Sequence, residues 1–472
     1  MTDRWTPGNR WTLIGCWTLC VSSLPTVVLS QDTVPPVEQG VRIGITYTPG
    51  VRPGMLVLGG PRGEFTDSLR AIIRRDLDYG DRFEMITLPQ GDSLVLGVTL
   101  PPPDSGEARR PAGSQTPEPF VNYPLYAALG ADFAVAILPG PDSGAVIINL
   151  YDVHGAAVRR RLGMREVGVA HPAFRMEVHR AADELVRAAT GEPGIAATRI
   201  LFVHAGRVYV VDSDGANLSP LSPAGANSYS PAWDPTGRRV AYSLLDSGWA
   251  SIILQDLDSG ESRVLGPTQE LFNFTSAFSP DGGTLAFARA GVEGTHIYTY
   301  NLAQDCCLQR LTVGRFSDNL SPTFSPDGRQ IAFVSTRAGL TQIYAMSRDG
   351  TGQQLFAPFD YGVTGGSYAP EWSPDGRHLV FHRDVAGSPQ VFVMDVRERS
   401  VRQLTSAGRN EDGTWAPDGR HIAFISNRTG ARQVWVIDTE TGRVRQLTRV
   451  GDARLPAWSS RLSEPRLTTT QP

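Results

Sequence analysis

Apolar residues along this chain fall into two rhythms. From Arg199 onward, short apolar runs recur between tight turns, as in Ile331-Ala-Phe-Val334, Leu379-Val-Phe381 and Ile422-Ala-Phe-Ile425. They barely alternate, as strands do when neighbours cover both faces. A polar link leads to a further apolar run: Gln342-Ile-Tyr-Ala-Met346, Gln390-Val-Phe-Val-Met394 or Gln433-Val-Trp-Val-Ile437. Turns such as Arg348-Asp-Gly350 and Thr439-Glu-Thr-Gly442 then feed Arg402-Gln-Leu-Thr405-type strands, including Arg445-Gln-Leu-Thr448.

Before Arg199 the pattern is mixed. Val41-Arg-Ile-Gly-Ile-Thr-Tyr47 alternates as a strand, and Phe65 to Leu77 places Leu69, Ile72, Ile73 and Leu77 on one helical face. A strand at Phe83–Leu88, a short helix at Asn122–Leu129, strands at Ala131–Leu138 and Ala145–Leu150, and a helix at Ala173–Ala189 follow. That order predicts a small α/β sandwich.

The second rhythm is a repeat. Trp233-Asp-Pro-Thr-Gly, Phe278-Ser-Pro-Asp-Gly, Phe324-Ser-Pro-Asp-Gly, Trp372-Ser-Pro-Asp-Gly, Trp415-Ala-Pro-Asp-Gly and Trp458-Ser-Ser are spaced 45, 46, 48, 43 and 43 residues apart. Pro at the second position of the turn presets φ, Asp tolerates the third, and Gly relieves the exit. A unit of this length is one four-stranded propeller blade. With the strands called a to d and strand a ending at the aromatic, the first unit (Arg199 to Leu221) lacks its a-strand. The last, Leu455-Pro-Ala-Trp458-Ser, has only that strand. The expected fold class is therefore an α/β N-terminal domain followed by an all-β six-bladed β-propeller closed by the C-terminal strand, which leaves no open sheet edge.

Domain boundaries follow from punctuation. Residues 1–30 read as a signal peptide, 31–40 as an N-terminal lead, 41–191 as the α/β domain and 192–198 as a hinge. The propeller spans 199–460 and a polar tail 461–472. A Pro-, Gly- and Ser-rich stretch at 90–118 reads as a flexible insertion. In the leader, Arg4 and Arg10 precede the apolar Trp11 to Val21, Pro25 ends the run, and Val28-Leu29-Ser30 offers a cleavage site before Gln31. An uncleaved anchor at Trp11–Leu29 is the weaker reading, because Ser22, Ser23 and Pro25 interrupt it. Leu13-Ile14-Gly15-Cys16 follows Arg10 too closely for a lipoprotein box. Nothing after residue 31 is apolar enough to span a bilayer.

Composition narrows the function classes. The 49 glycines and 35 prolines favour many short strands. A net charge of −4 gives no case for nucleic acid. All 44 basic residues are Arg, which reads as codon usage rather than as a recognition device. With Cys16 and Cys20 in the leader, the mature chain keeps Cys306 and Cys307, read as two thiols at a hairpin edge rather than as a vicinal disulfide. No Cys/His spacing marks a metal site, and no cofactor is expected.

The Ser-Pro-Asp-Gly turns in Trp/Phe contexts, the Leu/Ile-Ala-Phe strands, the Arg-Gln-Leu-Thr endings and the closing Leu455-Pro-Ala-Trp458-Ser resemble the TolB family of periplasmic propellers. Leu129-Gly-Ala-Asp132 and the junction Ala196-Ala-Thr-Arg-Ile200 resemble it as well, so the likeness runs from about Val41 to Ser460. The resemblance implies a non-catalytic, monomeric periplasmic protein of the Tol–Pal system. It would bind a Pal-type peptidoglycan-associated lipoprotein at one propeller mouth and a TolA-type protein through its N-terminal end. Such systems maintain outer-membrane integrity, assist division and are parasitised by bacteriocins. Two departures stand out. The family's Pal-contacting loop carries a His where this chain has Phe272, with Asn273 retained beside it, and the lead 31–40 contains prolines.

Enzymatic readings fare poorly. No G-x-S-x-G elbow occurs. Ser279-Pro-Asp281-Gly-Gly283 approaches a sialidase box but is explained by its turn. Glu411-Asp412 reads as a solvated loop, His378 and His382 as too far apart on one strand to share a metal, and Asp212-Ser-Asp214-Gly215 as a hairpin turn rather than a calcium loop. A secreted propeller of another kind, glycan-binding or peptidase-associated, is the alternative. Partner contact is expected on the rim formed by the d-to-a connections, five and six residues before each aromatic: Asn227, Ser228, Phe272, Asn273, Asp318, Asn319, Ser367, Arg409, Asn410 and Asp452.

Overall fold

The computed structural model describes residues 52–60, 63–88, 121–140, 144–165, 168–246, 248–266, 271–358 and 365–462. The expected leader, the lead 31–40, the strand at Val41–Tyr47, the insertion 90–118 and residues 463–472 lie outside them.

The α/β domain comprises β1 (Gly54–Val57), α1 (Glu64–Tyr79), β2 (Glu84–Ile86), α2 (Tyr123–Ala128), β3 (Phe133–Pro139), β4 (Ala145–Asp152), β5 (Ala157–Arg165) and α3 (Phe174–Thr190). Its sheet runs β2-β1-β3-β4-β5, parallel among the first three and antiparallel after that. The predicted stripe Leu69, Ile72, Ile73 and Leu77 of α1 packs with Val178, Leu185 and Val186 of α3 against Met55, Val135, Ile137 and Ile148 of the sheet. Two strands were not read from the sequence. β1 is short and starts at Gly54, where a Cβ would stand 2.1 Å from the Gly130 carbonyl oxygen, so only glycine allows that approach. β5 hides its strand character in Val158-Arg-Arg-Arg161, whose charges mask the alternation.

The rest is a β-propeller-type array. Among the described residues it contains six four-stranded antiparallel units. The a-strands are Asn227–Trp233 (unit 1), Phe272–Phe278 (unit 2), Ser317–Phe324 (unit 3), Ser367–Trp372 (unit 4), Asn410–Trp415 (unit 5) and Arg454–Trp458 (unit 6). In unit 6, Trp458 sits opposite Ile200, Arg199–His204 pairs on its other side with Arg207–Asp212, and Arg207–Asp212 in turn with Ser219–Pro220. Its a-strand is tied in by Trp458 Nε1 donating to Thr198 Oγ1 (2.8 Å) and by Arg199 N–H donating to Ser459 Oγ (2.9 Å).

The tight turns carry the predicted chemistry. In Ser325-Pro-Asp-Gly328, Ser325 Oγ donates to Asp327 Oδ1 (2.6 Å) and accepts the Gln330 N–H (3.0 Å), while Gly328 takes φ 69°. The same internal bonding recurs around Ser279 and Ser373.

Asp212 to Gly215 forms the expected turn, with Asp214 buried against Arg175 and His179 of α3. Three expectations are corrected. Glu411 and Asp412 lie not in a solvated loop but on the a-strand of unit 5, where Glu411 pairs opposite Ile425 and Asp412 falls at the register shift that follows. Residues 192–198 are no free hinge, because Asp183 of α3 accepts the N–H groups of Ala196 (2.8 Å) and Ala197 (2.9 Å) through its two carboxylate oxygens. Cys306 and Cys307 are joined in a disulfide. The strand Cys306–Arg310 begins at an irregularity, with Asp305 and Cys307 both at positive φ, and this turns the neighbouring sulfurs toward each other.

Candidate functional site

Each a-strand carries one non-glycine residue at positive φ, always three positions before the aromatic: Ser230, Thr275, Ser321, Ala369, Asp412 and Leu455. The a–b pairing shifts register at every one of them. These are bulges, each held at a cost of about 1–2 kcal/mol per residue. All six line one cavity of about 130 Å³, together with Glu371 and the prolines that follow four of them. The bulges turn backbone groups from strand to strand. Ser321 N–H donates to Thr275 Oγ1 (3.1 Å), and Asp412 N–H to His382 Nδ1 (3.1 Å). Glu371 accepts both Trp415 N–H (2.8 Å) and Thr414 Oγ1 (3.0 Å).

Burial raises Glu371 to about 7 and Asp412 to about 6, and lowers His382 to about 4. His382 is thereby kept neutral, stacked on Tyr368 at 5.3 Å, able to accept from Asp412 N–H. His378 lies at the other end of the same strand beside Trp415, so the two histidines do not converge. The Glu371 carboxylate is thereby spent on the a-strand of the neighbouring unit.

Strand geometry separates two rims. The starts of the a- and c-strands lie on one side, where Ala250 pairs Phe272 and Gly294 pairs Ser317. The Ser-Pro-Asp-Gly turns and the c–d turns lie on the other. The α/β domain occupies that second side. Arg443 spans Asp78 and Asp81 (2.8–3.1 Å), Arg420 donates to the Asp81 carbonyl (3.0 Å) while paired with Asp438, and Asp214 meets Arg175, Arg75 and His179. Burial opposes a charge on His421, but Asp418 (2.7 Å) and Asp81 (3.4 Å) outweigh it and raise the ring to about 9. Asp76–His179–Asp214 and Asp81–His421–Asp438 have the composition of cation sites. Guanidinium groups, however, already occupy Asp214 in the first and both Asp81 and Asp438 in the second, while Asp76 is held by His179, so both clusters act as ion-paired seams between the two domains. Nothing in the sequence flagged them, because their members come from distant segments.

Among the described residues, the α/β domain bonds to the second rim and not to the first. Five of the predicted contact residues are exposed on the first rim: Asn227, Phe272, Asp318, Arg409 and Asp452. The other five, Ser228, Asn273, Asn319, Ser367 and Asn410, are buried, which corrects their placement as surface contacts. Asn273 Nδ2 donates to the Ala250 carbonyl (3.1 Å) of the preceding unit, and its Oδ1 accepts from Arg289 (2.8 Å). Asn319 repeats this with Thr295 and Arg337, and Asn410 with Gln390 and Arg428. Each of these arginines lies over two aromatic rings of its unit at 4.8–5.6 Å, as does Arg383 beside Ser367. A structural use of Arg was thus missed.

Sequence reasoning also missed the apolar character of the free rim. Besides Phe272 (40% exposed), it carries Trp249 beside it (5.9 Å), Val292, Val313, Phe316 (89% exposed), Leu340 and Val385. A string of large exposed apolar residues on one face marks a protein-contact surface.

Fold and site together define a β-propeller protein with an α/β domain seated on one rim and an uncovered apolar rim opposite. Residues 186–360 and 361–466 match the family described as the TolB beta propeller domain, and the chain belongs to that family. It is similar to the Tol-Pal system protein TolB of Methylococcus capsulatus, 33% identical over 228 residues (45% of this chain, 47% of the relative). It is also similar to that of Anaeromyxobacter sp. strain K, 31% identical over 254 residues (52% and 54%). The chain spans about half the length of the curated relatives it matches. In fold it resembles TolB from Acinetobacter baumannii, with a TM-score of 0.69 and 21% identity over 87% of this chain and 98% of that one.

Proposed function

We propose that this chain works as the TolB of a Tol–Pal envelope system: a periplasmic, non-enzymatic adaptor. It binds a Pal-type peptidoglycan-associated lipoprotein on the free rim and a TolA-type protein through its N-terminal end, and so supports outer-membrane integrity and division. The propeller that carries this is six-bladed, with the C-terminal strand completing the first blade. Ties between units support the ring: Trp233 Nε1 to the Ala457 carbonyl, Asn273 to Ala250, Asn319 to Thr295, Trp415 Nε1 to the Glu371 carbonyl and Trp458 N–H to Thr414. Among the described residues no helix is long and apolar enough to cross a membrane.

The observation that carries the reading is the apolar rim around Trp249, Phe272 and Phe316, on the side the α/β domain leaves open. Phe272, in place of the family's His, makes this contact more apolar. The exposed Asn227, Asp318, Arg409 and Asp452 frame it as a polar border. The test is surface plasmon resonance of the full chain over an immobilised soluble Pal-type domain. Phe272→Glu should weaken binding at least about tenfold, because buried aromatic anchors carry about 2 kcal/mol or more each. No binding by the folded wild-type protein would overturn the proposal.

A further inference from the structure

We propose that β5, the outer strand of the α/β sheet, is a second docking edge, which receives an extended acidic segment of a partner protein as an added strand. This site is independent of the propeller rim.

β5 spans Ala157–Arg165, long for an edge, and among the described residues β4 is its one strand neighbour in the sheet. Alternate backbone N–H and C=O groups of such a strand point away from its one partner and form a template for a further strand. Every residue of β5 is exposed or half-buried. Leu162 and Met164 pack toward the core shared with α1 and α3, and the pairing with β4 is regular from Arg160 to Arg165, after a register shift at Arg159.

The side chains select the occupant. Arg159, Arg160, Arg161 and Arg165 lie on this one strand. Arg159 donates to the Ala188 carbonyl (2.6 Å) and Arg161 to Asn149 Oδ1 (3.2 Å), so both are braced by the domain itself. Arg160 makes an exposed 3.4 Å pair with Glu184, an interaction worth little in water. A second copy is a poor occupant, because antiparallel pairing of two β5 strands would set arginine runs against each other, and like charges directly opposite destabilise a sheet. An extended acidic strand instead sets carboxylates opposite Arg159–Arg161 and Arg165. The same charges therefore oppose self-association and favour an acidic partner.

The experiment titrates the full mature chain into a short fluorescein-labelled peptide alternating Glu and Val, read by anisotropy, with hydrogen-exchange mass spectrometry of the complex. Two comparisons accompany it: a peptide of equal charge interrupted by Pro, which cannot complete a ladder, and the Arg160→Glu/Arg165→Glu chain. Expected are saturable binding, slowed exchange across Ala157–Arg165, loss of binding with the Pro peptide, and an affinity about tenfold lower for the charge-reversed chain. Absence of binding at low salt overturns the proposal. So does equal binding of the Pro peptide, since the contact would then be ionic without strand addition. Unchanged exchange in β5 overturns it too. A loss of Pal-type binding by Phe272→Glu with β5 binding intact separates this site from the rim.

Discussion

Replacing Arg289 tests whether the arginines of this propeller are structural parts or merely this chain's choice of cation. The side chain is 9% exposed, donates to the buried Asn273 Oδ1 at 2.8 Å, and lies over Phe287 at 5.6 Å and Tyr298 at 5.0 Å. A hydrogen bond from a charged donor is worth about 1.5–3 kcal/mol and each cation–π contact about 0.5–1. Arg289→Met keeps the apolar stem but loses all three, so it should cost about 2–4 kcal/mol. Arg289→Lys keeps a charge above the rings but lacks the planar fork that stacks and donates at once, and should cost about 1–2 kcal/mol. Arg329, whose side chain is 85% exposed, is the control: Arg329→Lys should change stability by less than about 0.5 kcal/mol. Urea unfolding followed by tryptophan fluorescence gives the differences, and a double-mutant cycle with Asn273→Ala isolates the shared bond. If Arg289→Lys matched the wild type as closely as the surface control does, the stacked arginine would be an ornament of composition and the argument for a repeated Asn–Arg tie would fail.

Three further outcomes are expected. Glu371 is raised to about 7 in the folded protein, so the native state binds more protons than the unfolded one between about pH 4.5 and 7. Stability from this group falls as pH rises through that window, and Glu371→Gln, which can still accept from Trp415 and Thr414, should flatten the decline in thermal midpoint measured from pH 5 to 8. His421, raised to about 9, contributes stability that is full below about pH 6.5 and lost as pH rises through 9. Proteolytic cutting near 192–198 should therefore increase between about pH 7 and 9.5, and His421→Ala should remove that rise. The purified chain should take up no iodoacetamide at Cys306 or Cys307 until a reductant is added; labelling without reductant would contradict the disulfide.

Much of the fold was legible, for a local reason. The aromatic–Ser-Pro-Asp-Gly repeat is fixed by turn chemistry within a few residues, and the stripe Leu69, Ile72, Ile73, Leu77 by helical period, so each announces itself in a short window. β1 and β5 failed that test. The first owes its place to the Gly54–Gly130 approach and the second to charged side chains on a strand whose pairing alone defines it. The rim positions expected from the sequence divide in two: side chains on a strand alternate, so one of each adjacent pair points inward. Phe272 and Arg409 face solvent while Asn273 and Asn410 turn into the seams between units. The seams Asp76–His179–Asp214 and Asp81–His421–Asp438 join residues from both domains, some more than 300 positions apart, which no window on a sequence can bring together.

The division of labour between the two rims follows from where side-chain valence is already used. In the Ser-Pro-Asp-Gly turns, the hydroxyl and the carboxylate bond to each other and to the chain's own N–H groups, leaving little to offer a partner. That rim can be covered only by a surface supplying its own charges, as α1, the turn after it and α3 do through Asp78, Asp81 and Arg175. On the opposite rim, the buried Asn and Arg of units 2, 3 and 5 bond within the array, and of the residues just before them Asp318 accepts from Thr295 (2.8 Å) and Arg409 donates to the Gly387 carbonyl (3.3 Å), while Phe272 is exposed beside Trp249. Phe272 and Asp318 each precede such an Asn by one position, and unit 2 places an aromatic where unit 3 places a carboxylate. Side-chain identity there is more open to variation, because the ties between neighbouring units lie one residue further in.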